Sequence, residues 1–278
     1  MKRLVCLSLF SVIIMLFLRC SVETFHDDAD YSIMIIGDMR SGYTVYEKLL
    51  YIINVFDKDP VFLASLGDIV STPGNEIEYH EYGVLNKKYI PDIPHYSIPG
   101  NHDVNDEESE QIYKEITKMP GNGLYYSVTH ENVFCVFLDT EMPGAVNSIK
   151  GEQYSWLVDT LDAAQKDSGV TTILIFMHRP LYPQCEHLDR DFADADQLLA
   201  LFKEHGKVKF VFAGHDHCFN ALDLGGILQI TSGGGGSPFR VKSDNYYHLI
   251  KAGFYRNSGR INIKAIDMWG DTIEDFDY

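Results

Sequence analysis

The chain has 278 residues, 45% hydrophobic and 23% charged, which fits one large globular domain with a full core and excludes a disordered chain. Its 40 acidic and 23 basic residues give a formal charge of −17, and no basic cluster stands out. A groove for a nucleic-acid polymer is therefore not expected. The same acidic field repels small phosphate esters, so an enzyme acting on them would need local cations.

The chain opens with Lys2 and Arg3 ahead of an apolar run, residues 4–18, interrupted by Ser8 and Ser11. That run is short for a membrane-spanning helix and has the length of a signal-peptide core. Residues 1–20 read as an export signal. Cys20 stands where a bacterial lipoprotein signal carries its lipidated cysteine, although Arg19 replaces the small residue usual before it. The expectation is an exported chain: a membrane-anchored lipoprotein through Cys20, a secreted or periplasmic protein after ordinary cleavage, or one held by a retained anchor.

From about Tyr31 the pattern alternates strand, loop and helix, and residues 30–270 read as one domain. Residues 33–36 and 61–66 are continuous apolar runs, suited to strands buried on both faces. Tyr46, Leu49, Leu50 and Ile53 fall at i, i+3, i+4 and i+7, one stripe of an amphipathic helix. Tyr154, Leu157, Val158 and Leu161 repeat the stripe ahead of a strand at 171–177. A helix over about 193–205 leads into a strand at 208–213. Residues 225–231, 246–254 and 261–267 read as short strands in an antiparallel arrangement, and 271–278 as an acidic, solvated end. The whole suggests two packed sheets with helices outside.

Five cysteines do not make a disulfide framework. Cys135 lies in an apolar stretch and reads as a small core residue. Cys185 and Cys218 both follow polar motifs and could pair in an oxidising compartment, with two unpaired thiols the simpler expectation.

Five short polar clusters stand at the C-terminal ends of predicted strands, where open α/β sheets place their ligand sites. They are Gly37-Asp38-Met39-Arg40, Gly67-Asp68, Gly100-Asn101-His102-Asp103, Met177-His178-Arg179-Pro180 and Gly214-His215-Asp216-His217. Any one alone reads as a turn or a hydrogen-bonded structural histidine. Together, two Asp, an Asn and several His form a mixed oxygen and nitrogen donor set suited to Mn, Fe, Zn, Ni or Co.

The order Asp, Gly-Asp, Gly-Asn-His-Asp, His, Gly-His-x-His resembles the calcineurin-like metallophosphoesterase family over about residues 32–236. Connecting segments agree, among them Phe137-Leu138-Asp139-Thr140 and His178-Arg179-Pro180-Leu181-Tyr182. The resemblance implies an α/β fold, a four-layer α/β/β/α sandwich of two mixed sheets flanked by helices. It implies a metal-dependent phosphomonoesterase or phosphodiesterase acting on a small phosphoester. In that scheme Asp68 bridges two divalent or trivalent transition-metal ions. Asn101, His178 and His215 complete one site, and Asp38 and His217 hold the other. A metal-bridging hydroxide attacks phosphorus, and His102, oriented by Asp103, protonates the leaving oxygen.

The chain departs from the family at one ligand. Most relatives carry a metal-binding His two residues after the first Asp, where this chain has Arg40; the purple acid phosphatase branch uses a Tyr three residues after the second Asp, here Ser71. Arg has no acceptor and cannot ligate a metal. Water or another histidine such as His80 would then complete the first site, or the site would be weak, or Arg40 would act as a fixed cation holding substrate phosphate. Arg179 is a further candidate for a phosphate contact. A catalytically impaired metal-binding surface module of the same fold is the alternative expectation.

Overall fold

The computed structural model describes residues 28–57, 60–185, 192–239 and 245–278. The export signal, Cys20 and His187 lie outside the described residues. Among the described residues, no helix is long and apolar enough to cross a membrane.

The first sheet forms around β1 (Tyr31–Ile36). Parallel to it lie β2 (Leu63–Ser65) and, beyond that, β3 (His95–Ser97). On its other side β10 (His248–Phe254), β11 (Ile261–Asp267) and β12 (Thr272–Asp277) follow antiparallel. The second sheet runs β4 (Tyr126–His130), β5 (Val133–Leu138), β6 (Thr172–Met177), β7 (Val208–Ala213), β9 (Leu228–Ser232) and β8 (Phe219–Asp223). Its four central strands are parallel and its two edges antiparallel.

Alternation along β1 explains its unbroken apolar run. Ile33 and Ile35 face the second sheet, and Met34 and Ile36 face the helices, so both faces are buried. Between the sheets Phe62, Phe137, Phe176, Phe210 and Phe212 dominate, with the Phe137 and Phe176 rings stacked 4.6 Å apart. Outside the first sheet, Tyr46, Leu49, Leu50 and Ile53 of α1 (Tyr43–Phe56) pack with Tyr79 and Tyr82 of α2 (Glu76–Tyr89) and Tyr113 of α3 (Glu107–Thr117). Outside the second, Leu157 and Leu161 of α4 (Gly151–Lys166) pack with Leu198 and Phe202 of α5 (Ala195–Glu204). The result is the four-layer α/β/β/α sandwich.

Three expectations change. The acidic end is a strand: β12 pairs with β11, Phe276 packs against the inter-sheet core, and Asp275 and Asp277 accept from Asn262. Its acids sit on a sheet edge, where charge discourages further pairing. Residues 72–90, where the sequence pattern offered no element, hold α2, whose first turn is capped by the Asn75 side chain accepting from the Glu78 amide. β9, expected among antiparallel strands, runs parallel to β7.

Candidate metal centre

All five polar clusters follow strands at one end of the two sheets, and the chain turns sharply there. Asp38, Asp68 and His215 have φ of 62°, 55° and 66°, the left-handed region that side chains enter at a cost. Glycine makes their approach feasible: Gly67 has φ 89°, and a Cβ on Gly100 would collide with the Asp68 backbone and carboxylate. Backbone strain at three of six candidate ligands shows that these positions are set by the site and not by local preference.

On one side of Asp68 four donors converge. Asn101 Oδ1 lies 3.1 Å from His178 Nε2 and 2.8 Å from His215 Nδ1. His178 Nε2 and His215 Nδ1 are 3.2 Å apart, and Asp68 Oδ1 is 3.4 Å from His178 Nε2. His178 donates its Nδ1–H to the Leu66 carbonyl at 2.7 Å, which turns the Nε2 lone pair toward the cluster. Four lone-pair atoms from four different chain segments, each within four residues of a strand end, suit a transition-metal ion of the Mn, Fe, Zn, Ni or Co class.

On the other side, donor atoms of Asp38, Asp68 and His217 lie within 4.8 Å of one another. His217 donates Nδ1–H to the Pro238 carbonyl at 2.7 Å, so its Nε2 faces Asp38 Oδ1 at 3.5 Å. Among the described residues the buried Asp38 Oδ1 has no hydrogen-bond partner, an orphan that fits a cation. Burial works to raise the Asp38 carboxyl, but His217, His178 and the His215 amide outweigh it and hold it below the usual range. Arg40 enters here: its Nε donates to Asp68 Oδ2 at 3.0 Å. His80 is exposed on α2 and is not part of this cluster.

His102 is partly buried beside the cluster. Its amide donates to Asp68 Oδ1 at 2.9 Å, and its Nδ1–H donates to the Ser71 carbonyl at 2.9 Å; among the described residues Nε2 has no hydrogen-bond partner. The atom that meets the His102 ring is therefore the Ser71 carbonyl, where Asp103 was expected. Asp103 turns the other way and accepts from the amides of Ile69, Val70 and Gly100, at 2.9, 3.1 and 2.8 Å. It ties the turn carrying Asp68 to the turn carrying Asn101. Burial and the neighbouring Asp68 charge push its carboxyl well up.

Arg179 is committed elsewhere than to phosphate. Its Nε and Nη2 form a two-point pair with Glu141 at 2.7 and 3.0 Å, and its Nη1 lies 3.1 Å from His215 Nε2. It is 8% exposed and backs the His215 ring. Glu141 escaped the sequence reading, where its only signal is its place beside Asp139-Thr140 after β5. In the run Gly233–Gly236 the Gly233 amide donates to the Cys218 carbonyl and the Gly235 amide to the Gly37 carbonyl. Cys185 and Cys218 are joined in a disulfide with Cα atoms 6.6 Å apart, while Cys135 is free and buried in the inter-sheet core.

Known proteins are similar to this chain in sequence and in fold. Purple acid phosphatase 23 of Arabidopsis thaliana is 26% identical over 203 residues, 66% of this chain and 43% of its own length. Serine/threonine-protein phosphatase CPPED1 of Mus musculus is 25% identical over 62% of this chain and 58% of its own. The chain thus spans about half the length of these relatives. Among solved structures, a purple acid phosphatase from yellow lupin superposes with TM-score 0.69 at 15% identity, over 89% of this chain and 53% of that one. A dimetal phosphatase from Danio rerio superposes with TM-score 0.65 at 16% identity, over 90% and 99%. The model of the calcineurin-like phosphoesterases matches residues 31–219, so the chain belongs to that family.

Proposed function

We propose that the chain is a metal-dependent hydrolase of small phosphoesters that works outside the cytoplasm. The observation carrying this reading is the convergence of Asp68 Oδ1, Asn101 Oδ1, His178 Nε2 and His215 Nδ1 beside the free Nε2 of His102. A transition-metal ion there would neutralise phosphate oxygens and acidify a water to a pKa near 7. The chain supplies the rest. His178 is held in its donor tautomer by Leu66, and the Arg179–Glu141 pair packs beside His215. His102, held by the Ser71 carbonyl, presents Nε2 to hand a proton to the departing oxygen.

Relatives named as phosphatases, and one named a probable glycerophosphodiester phosphodiesterase, support both monoesters and diesters as substrate classes. The Cys185–Cys218 disulfide supports export, since such bonds persist in oxidising compartments and agree with the signal-like residues 1–20. The acidic balance supports small substrates over nucleic-acid polymers.

The test is hydrolysis of p-nitrophenyl phosphate and of its bis-ester by the metal-loaded protein. Metal-dependent turnover that disappears in Asp68→Asn is the expected result. Folded, metal-loaded protein with no turnover on a broad phosphoester panel sinks the reading. The Arg40–Asp68 ion pair favours a second reading, an impaired metal-binding module; tightly held metal with no turnover would select it.

A further inference from the structure

We infer that Arg40 stands in for one of two metal ions, so that the centre holds a single tightly bound ion with a guanidinium beside it. This rests on the phosphoesterase reading and departs from the two-ion scheme that the family resemblance implies.

Arg40 is built into the site. Its amide donates to the Asp68 carbonyl at 2.9 Å, its own carbonyl accepts from Ser237 Oγ at 3.2 Å, and its side chain is 15% exposed. With the backbone pinned on both sides, Nε meets Asp68 Oδ2 at 3.0 Å. Asp68 thereby divides its two oxygens. Oδ1 takes the His102 amide and faces His178, and Oδ2 takes Arg40. A carboxylate can bridge two ions, but a second ion at Asp68 would sit beside the guanidinium already paired with Oδ2, and the two cations would compete for one carboxylate charge. A guanidinium stays protonated at any accessible pH, so it cannot make room by losing its proton. With Asp68 shared, Asp38 and His217 give three protein donors next to a fixed positive charge, against four donors on the other side. A divalent ion there meets like-charge repulsion at short range as well as a low ligand count.

The exchange leaves catalytic capacity in place. Among the described residues the two terminal amino groups of Arg40 make no hydrogen bond, since only Nε is engaged. That planar fork suits two oxygens of a phosphate. A phosphoester could then place one non-bridging oxygen toward the ion at Asn101, His178 and His215 and others on Arg40, with charge neutralised from both sides.

Metal counting tests this without relying on activity. Purified protein, stripped with chelator and titrated with Mn²⁺ or Zn²⁺, is expected to hold about one ion per chain by elemental analysis and calorimetry. Arg40→His should hold about two, and its Mn²⁺ form should show the spin-coupled resonance of a close pair. Arg40→Lys, which keeps the charge, should stay at one; thermal melts confirm that each variant folds. Inorganic phosphate should bind the one-ion wild type at least about tenfold more tightly than Arg40→Gln, the order expected for a lost charge-assisted hydrogen bond. Two tightly held ions in the wild type, or one in Arg40→His, would overturn the Arg40 assignment and leave the hydrolase reading standing. No bound ion in the wild type would overturn both.

Discussion

The two sides of Asp68 differ in charge more than in shape. On the Asn101 side three neutral donors join one carboxylate oxygen, and the His178 ring is fixed from behind by the Leu66 carbonyl. On the Asp38 side a buried carboxylate and a histidine share their pocket with a guanidinium. Both are built by the same device, a polar residue just beyond a strand, held in a tight turn. The scaffold therefore sets where donors meet, while a single residue decides whether an ion can stay. Five motifs in the right order establish the scaffold and do not by themselves count the ions.

Asp68 is the one residue common to both sides, so its loss should have the largest effect. Asp68→Asn keeps the shape and removes the charge that both the ion and Arg40 use. Bound metal should fall close to zero and turnover should fall by more than the 10²–10⁴-fold typical of losing one general acid. Retention of metal and turnover in this variant would show that the two sides do not share that carboxylate. Next comes His102→Ala, expected to lower kcat by about 10²–10⁴-fold with metal content unchanged. The drop should be steeper for alkyl phosphates than for p-nitrophenyl phosphate, whose leaving group departs without a proton. Equal losses on both substrates would remove His102 from the acid role.

The disulfide lies on the Asp38 side, because Cys218 follows His217 directly and Cys185 closes the segment after Arg179. Its 33-residue separation corresponds to about 3–4 kcal/mol of stability in the chain-entropy account. Cys185→Ser combined with Cys218→Ser should lower Tm accordingly, and reductant should do the same to the wild type only. A double variant that melts with the wild type in both conditions would leave the bridge without a stabilising role.

How much of this could be read from the sequence depends on the range of the interaction. Periodicity exposed β1, α1, α4, β6 and β7, because burial of a face leaves a local record. The six candidate ligands were legible through the order of their motifs, which resembles a known family, each within four residues of a strand end. Partners chosen in three dimensions were not. Nothing near Asp103 says that its carboxylate serves the Ile69 and Val70 amides, more than thirty residues away. Nothing near Glu141 announces Arg179, and nothing near Ser71 announces its carbonyl under His102. The acidic end was misread because its side chains are exposed, and an edge strand draws its order from backbone pairing with β11, which composition does not record.

His248 supplies the smallest test of the Asp38 side. Its ring lies behind the Gly233–Gly236 turn, close enough that a Cβ on Gly234 would strike it. Nδ1–H donates to the Tyr246 carbonyl at 2.8 Å, and Nε2 meets Ser232 Oγ at 3.0 Å. Burial pushes its pKa down to about 4, with the Tyr246 carbonyl and Asp38 pulling only partly back. The folded pKa thus lies below the unfolded value near 6.5, and between the two the unfolded chain binds the proton that the folded chain refuses. Stability from this group is complete above about pH 6.5 and is lost as pH falls toward 4. At pH 5.5 the loss is about 1 kcal/mol, small beside the disulfide. His248→Gln, which cannot titrate, should lose correspondingly less stability between pH 7.5 and 5.5, read as the change in denaturant midpoint at constant slope. Matching pH profiles for the variant and the wild type would mean that the ring accepts its proton without unfolding the turn. The wall behind Asp38 would then be softer than its packing implies.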